Sequence, residues 1–130
     1  MNIVSTQGLT IDSAELREKA QHLFDELRTL TADESGVTRE AFAKGEQVAL
    51  DLLSAYARAH GLKCTTGGAG SLIVSLPNDD LTTPGLIVGS HADSVPQGGN
   101  FDGGAGLIAG LLCLIRLAIE GRSGGVPAGV

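Results

Sequence analysis

The stretch from Leu86 to Leu107 constrains this chain more than any other. An apolar run, Leu86, Ile87 and Val88, leads through Gly89 and Ser90 to His91 and, two residues on, to Asp93. A second carboxylate, Asp102, follows eleven positions after His91, beyond Pro96 and the glycines Gly98 and Gly99. A strongly apolar segment then begins. Continuous apolar runs belong to strands covered on both faces, and open α/β sheets bind ligands at the carboxyl ends of their strands. The pattern therefore predicts a buried parallel strand over residues 86–90 that ends in a ligand-binding, glycine-rich loop.

The segments before and after the loop supply helices and a hairpin. Asp12 and Glu15 have capping-box spacing, and Leu16, Ala20, Leu23, Phe24, Leu27 and Leu30 recur at helical intervals. A helix is expected over residues 13–31, with His22 as a solvated side chain on its charged face. Residues 32–42 read as a loop. A second helix should run over 44–60 with Ala49, Leu52, Leu53 and Tyr56 inward, closed by Gly61, with His60 suited to a helix C-terminus. Short strands are expected at 63–65 and 71–76 around the turn Gly67 to Gly70. The segment 106–119 reads as a helix apolar almost all round, which requires partners on more than one side. Residues 122–130 have the composition of a flexible tail.

A chain of 130 residues is one domain by length. With aromatics at 3 %, its core must be aliphatic. A net charge of −6 with no cluster of Lys or Arg excludes a nucleic-acid surface. Cys64 and Cys113 lack C-x-x-C spacing and read as two reduced, buried thiols. The opening residues are too polar for a signal peptide, and the 107–119 run is too short to span a bilayer, which takes roughly 20 apolar residues. A soluble, cytoplasmic protein without membrane partners is expected. A central strand and an all-round apolar helix nevertheless need more cover than these elements provide. The chain is expected to be the front portion of a larger α/β domain or to be covered by another chain.

The loop carries the chemistry. In extended backbone His91 and Asp93 point the same way, so a ring nitrogen can be offered to a metal while the carboxylate of Asp93 fixes the tautomer. The glycines let the chain fold back and bring Asp102 near His91. A carboxylate can bridge two divalent ions about 3.5–4 Å apart. Nitrogen and oxygen donors suit Zn²⁺ first, with Mn²⁺, Co²⁺ or Ni²⁺ as alternatives. Two other readings compete. The glycines before the helix could cradle a phosphate, although the P-loop lysine and the G-x-G-x-x-G spacing are missing. Alternatively, Asp102 could simply cap the helix that follows.

The segment from Gly89 to Gly103, with His91, Asp93 and Asp102 at these spacings, resembles the metal-binding segment of the N-carbamoyl-L-amino-acid hydrolase, allantoate amidohydrolase and β-ureidopropionase family, within the di-zinc aminoacylase and carboxypeptidase-like peptidases. Gly36, Val37, Thr38 and Arg39 through Phe42 match a second family signature, and Ser71 stands where the family commonly has Asn. The resemblance implies an α/β fold, with residues 1–121 forming the amino-terminal part of a di-zinc peptidase-like catalytic domain in which helices pack on a mixed sheet. It implies His91 as a metal ligand, Asp102 as the carboxylate bridging two metals, and Asp93 as the support of His91. It gives Arg39 a place in a motif but no role. The glutamate general base, the remaining ligands and the lid domain that binds substrate and forms the homodimer are absent from this sequence.

Two functions are thereby expected: part of a metal-dependent hydrolase of small ureido or amide substrates, or a catalytically silent fragment of one. A related aminopeptidase or aminoacylase is a close variant. Self-association or marginal stability is expected of the isolated chain.

Overall fold

The computed structural model describes residues 9–122. Three helices and one hairpin make up the fold: α1 (Ser13–Thr31), α2 (Lys44–Ala59), β1 (Lys63–Thr66), β2 (Leu72–Ser75) and α3 (Gly104–Ile119). The side chain of Asp12 accepts the backbone N–H of Glu15 at 2.8 Å and so caps α1. Glu15 itself turns toward Lys19, 3.7 Å away. The α2 helix closes at His60, whose Nδ1 lies 2.9 Å from the Tyr56 carbonyl. Gly61 takes the left-handed conformation that follows. The strands pair antiparallel, from Lys63 opposite Ser75 to Thr66 opposite Leu72.

Leu23 and Leu27 of α1, Ala49, Leu53 and Ala57 of α2, and Ile108, Leu111 and Ile115 of α3 share one core with Leu62, Leu76 and Ala92. Helix α1 packs against both other helices, and the hairpin lies against α2. The inward line of α3 recurs at intervals of three and four residues, so one stripe of that helix is covered. Cover on several sides, expected from its composition, is not found among the described residues, and Cys113 is exposed rather than buried. Leu30, assigned to the inward stripe of α1, is likewise exposed, although Thr31 beside it is buried.

The largest correction concerns residues 86–90. They form no strand, and Leu86, Ile87 and Val88 are 78 %, 89 % and 67 % exposed. A strand exists only through backbone hydrogen bonds to a neighbour, and none of the described residues pairs with this run. It still lies along α3: a Cβ on Gly110 would meet Val88 at 3.5 Å, and one on Gly106 would meet Ser90 at 2.7 Å. The helices consequently pack on a two-stranded hairpin and on each other, not on the mixed sheet expected. The tail assigned to 122–130 lies, except for Arg122, outside the described residues, as do residues 1–8. No helix among the described residues is long and apolar enough to cross a membrane.

Leu27 is almost wholly buried at the meeting of the three helices. Leu27→Ala should lower the unfolding free energy by about 2–5 kcal/mol in urea titration; a loss under about 1 kcal/mol would place it outside the core. The exposed Leu86–Val88 row should make the isolated chain associate as concentration rises. Sedimentation velocity should show Ile87→Lys weakening that association, whereas equal association of both proteins would exonerate the row.

Candidate metal centre

Residues 91–103 are held in place by a short segment far upstream. Val37 and Gly98 exchange backbone hydrogen bonds of 3.0 and 2.9 Å. The Arg39 N–H donates to Ser94 Oγ at 3.0 Å, and the Ser94 N–H donates to the Arg39 carbonyl at 2.8 Å. Between these pairs the Gln97 N–H donates to Thr38 Oγ1. Gly36 and Gly98 permit the approach, since a Cβ on Gly36 would stand 2.4 Å from the Gly98 oxygen. The far end of the loop is tied to α1 by Asn100, which donates through Nδ2 to the Phe24 carbonyl, and by the edge-on contact of Phe101 with Phe24.

Within that frame His91, Asp93 and Asp102 come together. His91 Nδ1 lies 2.9 Å from the Asp93 carbonyl and 3.1 Å from Asp93 Oδ1. Both partners only accept, so in the neutral ring Nδ1 is the atom that carries the hydrogen and Nε2 the one with the lone pair. Nε2 faces Asp102 Oδ1 at 3.7 Å, too far for a hydrogen bond. Two ligands at about 2.0–2.1 Å from one tetrahedral ion stand roughly 3.3 Å apart, so the separation is close to that of a shared cation. Imidazole nitrogen and carboxylate oxygen are also a donor set that divalent ions accept. Among the described residues, however, no group of three or more His, Cys, Asp or Glu side chains is placed to hold a metal. The residues fit two coordination positions.

Asp102 does not cap α3. The N-cap position is Gly103, with no side-chain hydrogen bond, and Asp102 Oδ2 instead accepts the Val95 N–H at 3.0 Å. The carboxylate is thus spent on shaping its own loop. Gly103 has φ +65°, and a Cβ there would lie 2.2 Å from the His91 oxygen and 2.7 Å from Nδ1. The chain passes behind the imidazole at a distance only glycine allows.

Sequence reasoning left Arg39 without a role, and Ser94 and Asn100 unremarked. Arg39 is wholly buried. Its Nε donates to the Ala92 carbonyl at 2.8 Å and its Nη2 to the Asp102 carbonyl at 2.7 Å, while Nη1 has no partner. Burial lowers its pKa from the ordinary arginine value, and the nearby charges of Asp102 and Asp93 pull the other way. The sequence signal was its place in a family-like motif within a loop, and its partners lie more than fifty residues downstream. Nothing local announces such a contact. His22 and His60 have no part in the centre: the first is an exposed residue of α1 and the second the cap of α2.

No protein-family model matches the chain. Its homologues include an N-carbamoyl-L-amino acid amidohydrolase of Geobacillus stearothermophilus, 42 % identical over 76 residues, which are 58 % of this chain and 19 % of that protein. The N-carbamoyl-L-amino-acid amidohydrolase of a Pseudomonas species is 35 % identical over 103 residues, 79 % of this chain and 24 % of that protein. An allantoate deiminase of Arabidopsis thaliana is 26 % identical over 126 residues, 95 % of this chain and 24 % of that protein. The resemblance first seen in the loop is therefore one to proteins named as amidohydrolases and an allantoate deiminase. The chain spans about a quarter or less of the length of these curated relatives.

Gly103→Ala should cost more than the roughly 1–2 kcal/mol of a left-handed non-glycine residue, because the new methyl group also strikes the His91 backbone. Gly99→Ala meets no atom within 4 Å and should stay within about 0.5 kcal/mol. Equal urea midpoints for the two variants would show that the close approach behind His91 is not required.

Proposed function

We propose that this chain forms part of the active site of a metal-dependent amidohydrolase. The reaction is hydrolysis of linear amide or ureido C–N bonds in N-carbamoyl-L-amino acids or related compounds such as allantoate and ureidopropionate. The supporting observation is the convergence of His91 Nε2 and Asp102 Oδ1 with Asp93 behind the imidazole, together with relatives named as amidohydrolases. In this reading His91 and Asp102 would hold the metal, with Asp102 the carboxylate shared where two ions are bound, and the ion would be Zn²⁺, or Mn²⁺, Co²⁺ or Ni²⁺. Divalent ions supply Lewis acidity toward the scissile carbonyl and acidify water.

The residues of this chain do the orienting. Asp93 holds the hydrogen on His91 Nδ1 so that Nε2 stays free to donate its lone pair. The Val95 N–H fixes one oxygen of Asp102, leaving the other turned to His91. About half of the His91 side chain is exposed, so substrate and the remaining ligands can approach from the open side. Two donors hold a cation less firmly than the three or four protein ligands of ordinary zinc sites. The other ligands, the general base, the substrate-binding lid and the dimer contacts are assigned to protein outside these 130 residues. On that assignment the isolated chain is inactive.

The absence of a three-donor cluster among the described residues also supports a second reading, a catalytically silent fragment. Activity and metal binding separate the two. The full-length protein carrying this chain should hydrolyse N-carbamoyl-L-amino acids with Zn²⁺, Mn²⁺ or Co²⁺ and lose that activity to a chelator. His91→Ala or Asp102→Asn should lower kcat/KM at least about 100-fold. Failure of hydrolysis with all three metals would overturn the reading. Calorimetric titration of the isolated chain should show weak binding at most, and tight stoichiometric binding abolished by His91→Ala would argue against silence.

A further inference from the structure

We propose that Arg39 is the positioning residue of the metal centre. Its guanidinium is the brace that sets the separation of His91 Nε2 and Asp102 Oδ1. The inference rests on the metal-centre reading above.

Arg39 Nε reaches the carbonyl of Ala92, the residue after His91, and Nη2 reaches the carbonyl of Asp102 itself. One rigid, planar group thus spans both limbs of the loop at the points where the two ligands leave it. The backbone of the same residue is clipped to Ser94 in both directions. Ser90 Oγ, which donates to the Gly103 carbonyl, and Asp102 Oδ2, which accepts the Val95 N–H, tie the limbs to each other directly, whereas Arg39 grips both from outside the loop. A Lys there could replace the charge but not the fork, because its ammonium has no fixed pair of diverging donors.

Holding a guanidinium in this place is costly. The guanidinium is wholly buried, meets two neutral carbonyls, and leaves Nη1 without a partner. Burying a charge with incomplete hydrogen bonding opposes folding, so an apolar side chain would serve bare stability better. What the arginine supplies is a rigid fork that holds two backbone points at a fixed distance. Outer partners of metal ligands have this function in metal sites generally, and their loss weakens metal affinity about 10–100-fold.

The test compares Arg39→Lys with Val37→Ala in the full-length protein. Val37 is buried in the same segment and hydrogen-bonds to the loop through its backbone, which truncation leaves in place, so its truncation reports a merely structural loss. The first readout is the dissociation constant for Co²⁺, with its absorption spectrum, well below either melting temperature. The second needs no metal: hydrogen exchange of the 93–104 region in metal-free protein, where the Val95 and Gly104 amides are bonded to Asp102. Arg39→Lys should raise the Co²⁺ dissociation constant about 10–100-fold, alter the spectrum and speed exchange. Val37→Ala should lower the melting temperature and leave affinity and spectrum unchanged. Wild-type affinity and exchange in Arg39→Lys would overturn the proposal, as would losses of affinity in both variants that simply track their melting temperatures. If the wild-type protein binds no Co²⁺, the metal-centre reading fails, and the exchange rates alone then decide whether Arg39 sets the loop.

Discussion

The guanidinium of Arg39, shut away from water between the Ala92 and Asp102 carbonyls, joins parts of the chain that secondary structure leaves unconnected. The loop between His91 and Gly103 has no regular hydrogen-bonding ladder of its own. It borrows one from residues 37–39, which run beside it as a short template. The template reaches the core through Thr31 and Val37, both buried, and α1 holds the other end through the Phe24 carbonyl. The helical core, the upstream loop and the ligand-bearing loop are therefore one mechanical system, with a charged side chain at its centre.

Local rules worked where local forces decide. The bounds of α1 follow from Asp12 as cap and the spacing of Leu23 and Leu27, because capping and amphipathic burial act within a few residues. The same holds for Gly61 behind α2 and for the turn between the strands. Residues 86–90 defeated the reading for the opposite reason. Their composition describes a strand covered on both faces, yet pairing is a property of two segments, and the described residues contain only one. Cys113 and Leu30 went astray in the same way, since hydropathy states a preference for burial and not the presence of a neighbour.

The centre was legible in part. His91, Asp93 and Asp102 could be picked out because metal chemistry restricts residue type and the glycines restrict path. That Asp102 would spend one oxygen on the Val95 N–H rather than on the helix N-terminus was open until the backbone was traced. Arg39 was invisible in principle: a long polar side chain in a loop is ordinarily solvated, and only tertiary structure shows that this one turns inward. Gly103 is intermediate, since glycine before a helix is common and its closeness to the His91 ring is a fact of three dimensions.

The burial of that single arginine bears on how the protein meets its ionic surroundings. Pairs on the surface, such as Lys19 with Glu15 and Arg116 with Glu120, sit in water where dissolved salt reaches them and the attraction fades within a Debye length of about 8 Å at physiological strength. Arg39 is buried, bonded to two backbone carbonyls, and the charges of Asp102 and Asp93 act on it through protein rather than through water. The brace behind the two ligands is thereby shielded from salinity, so a brine that loosens the outer helical faces reaches this contact least.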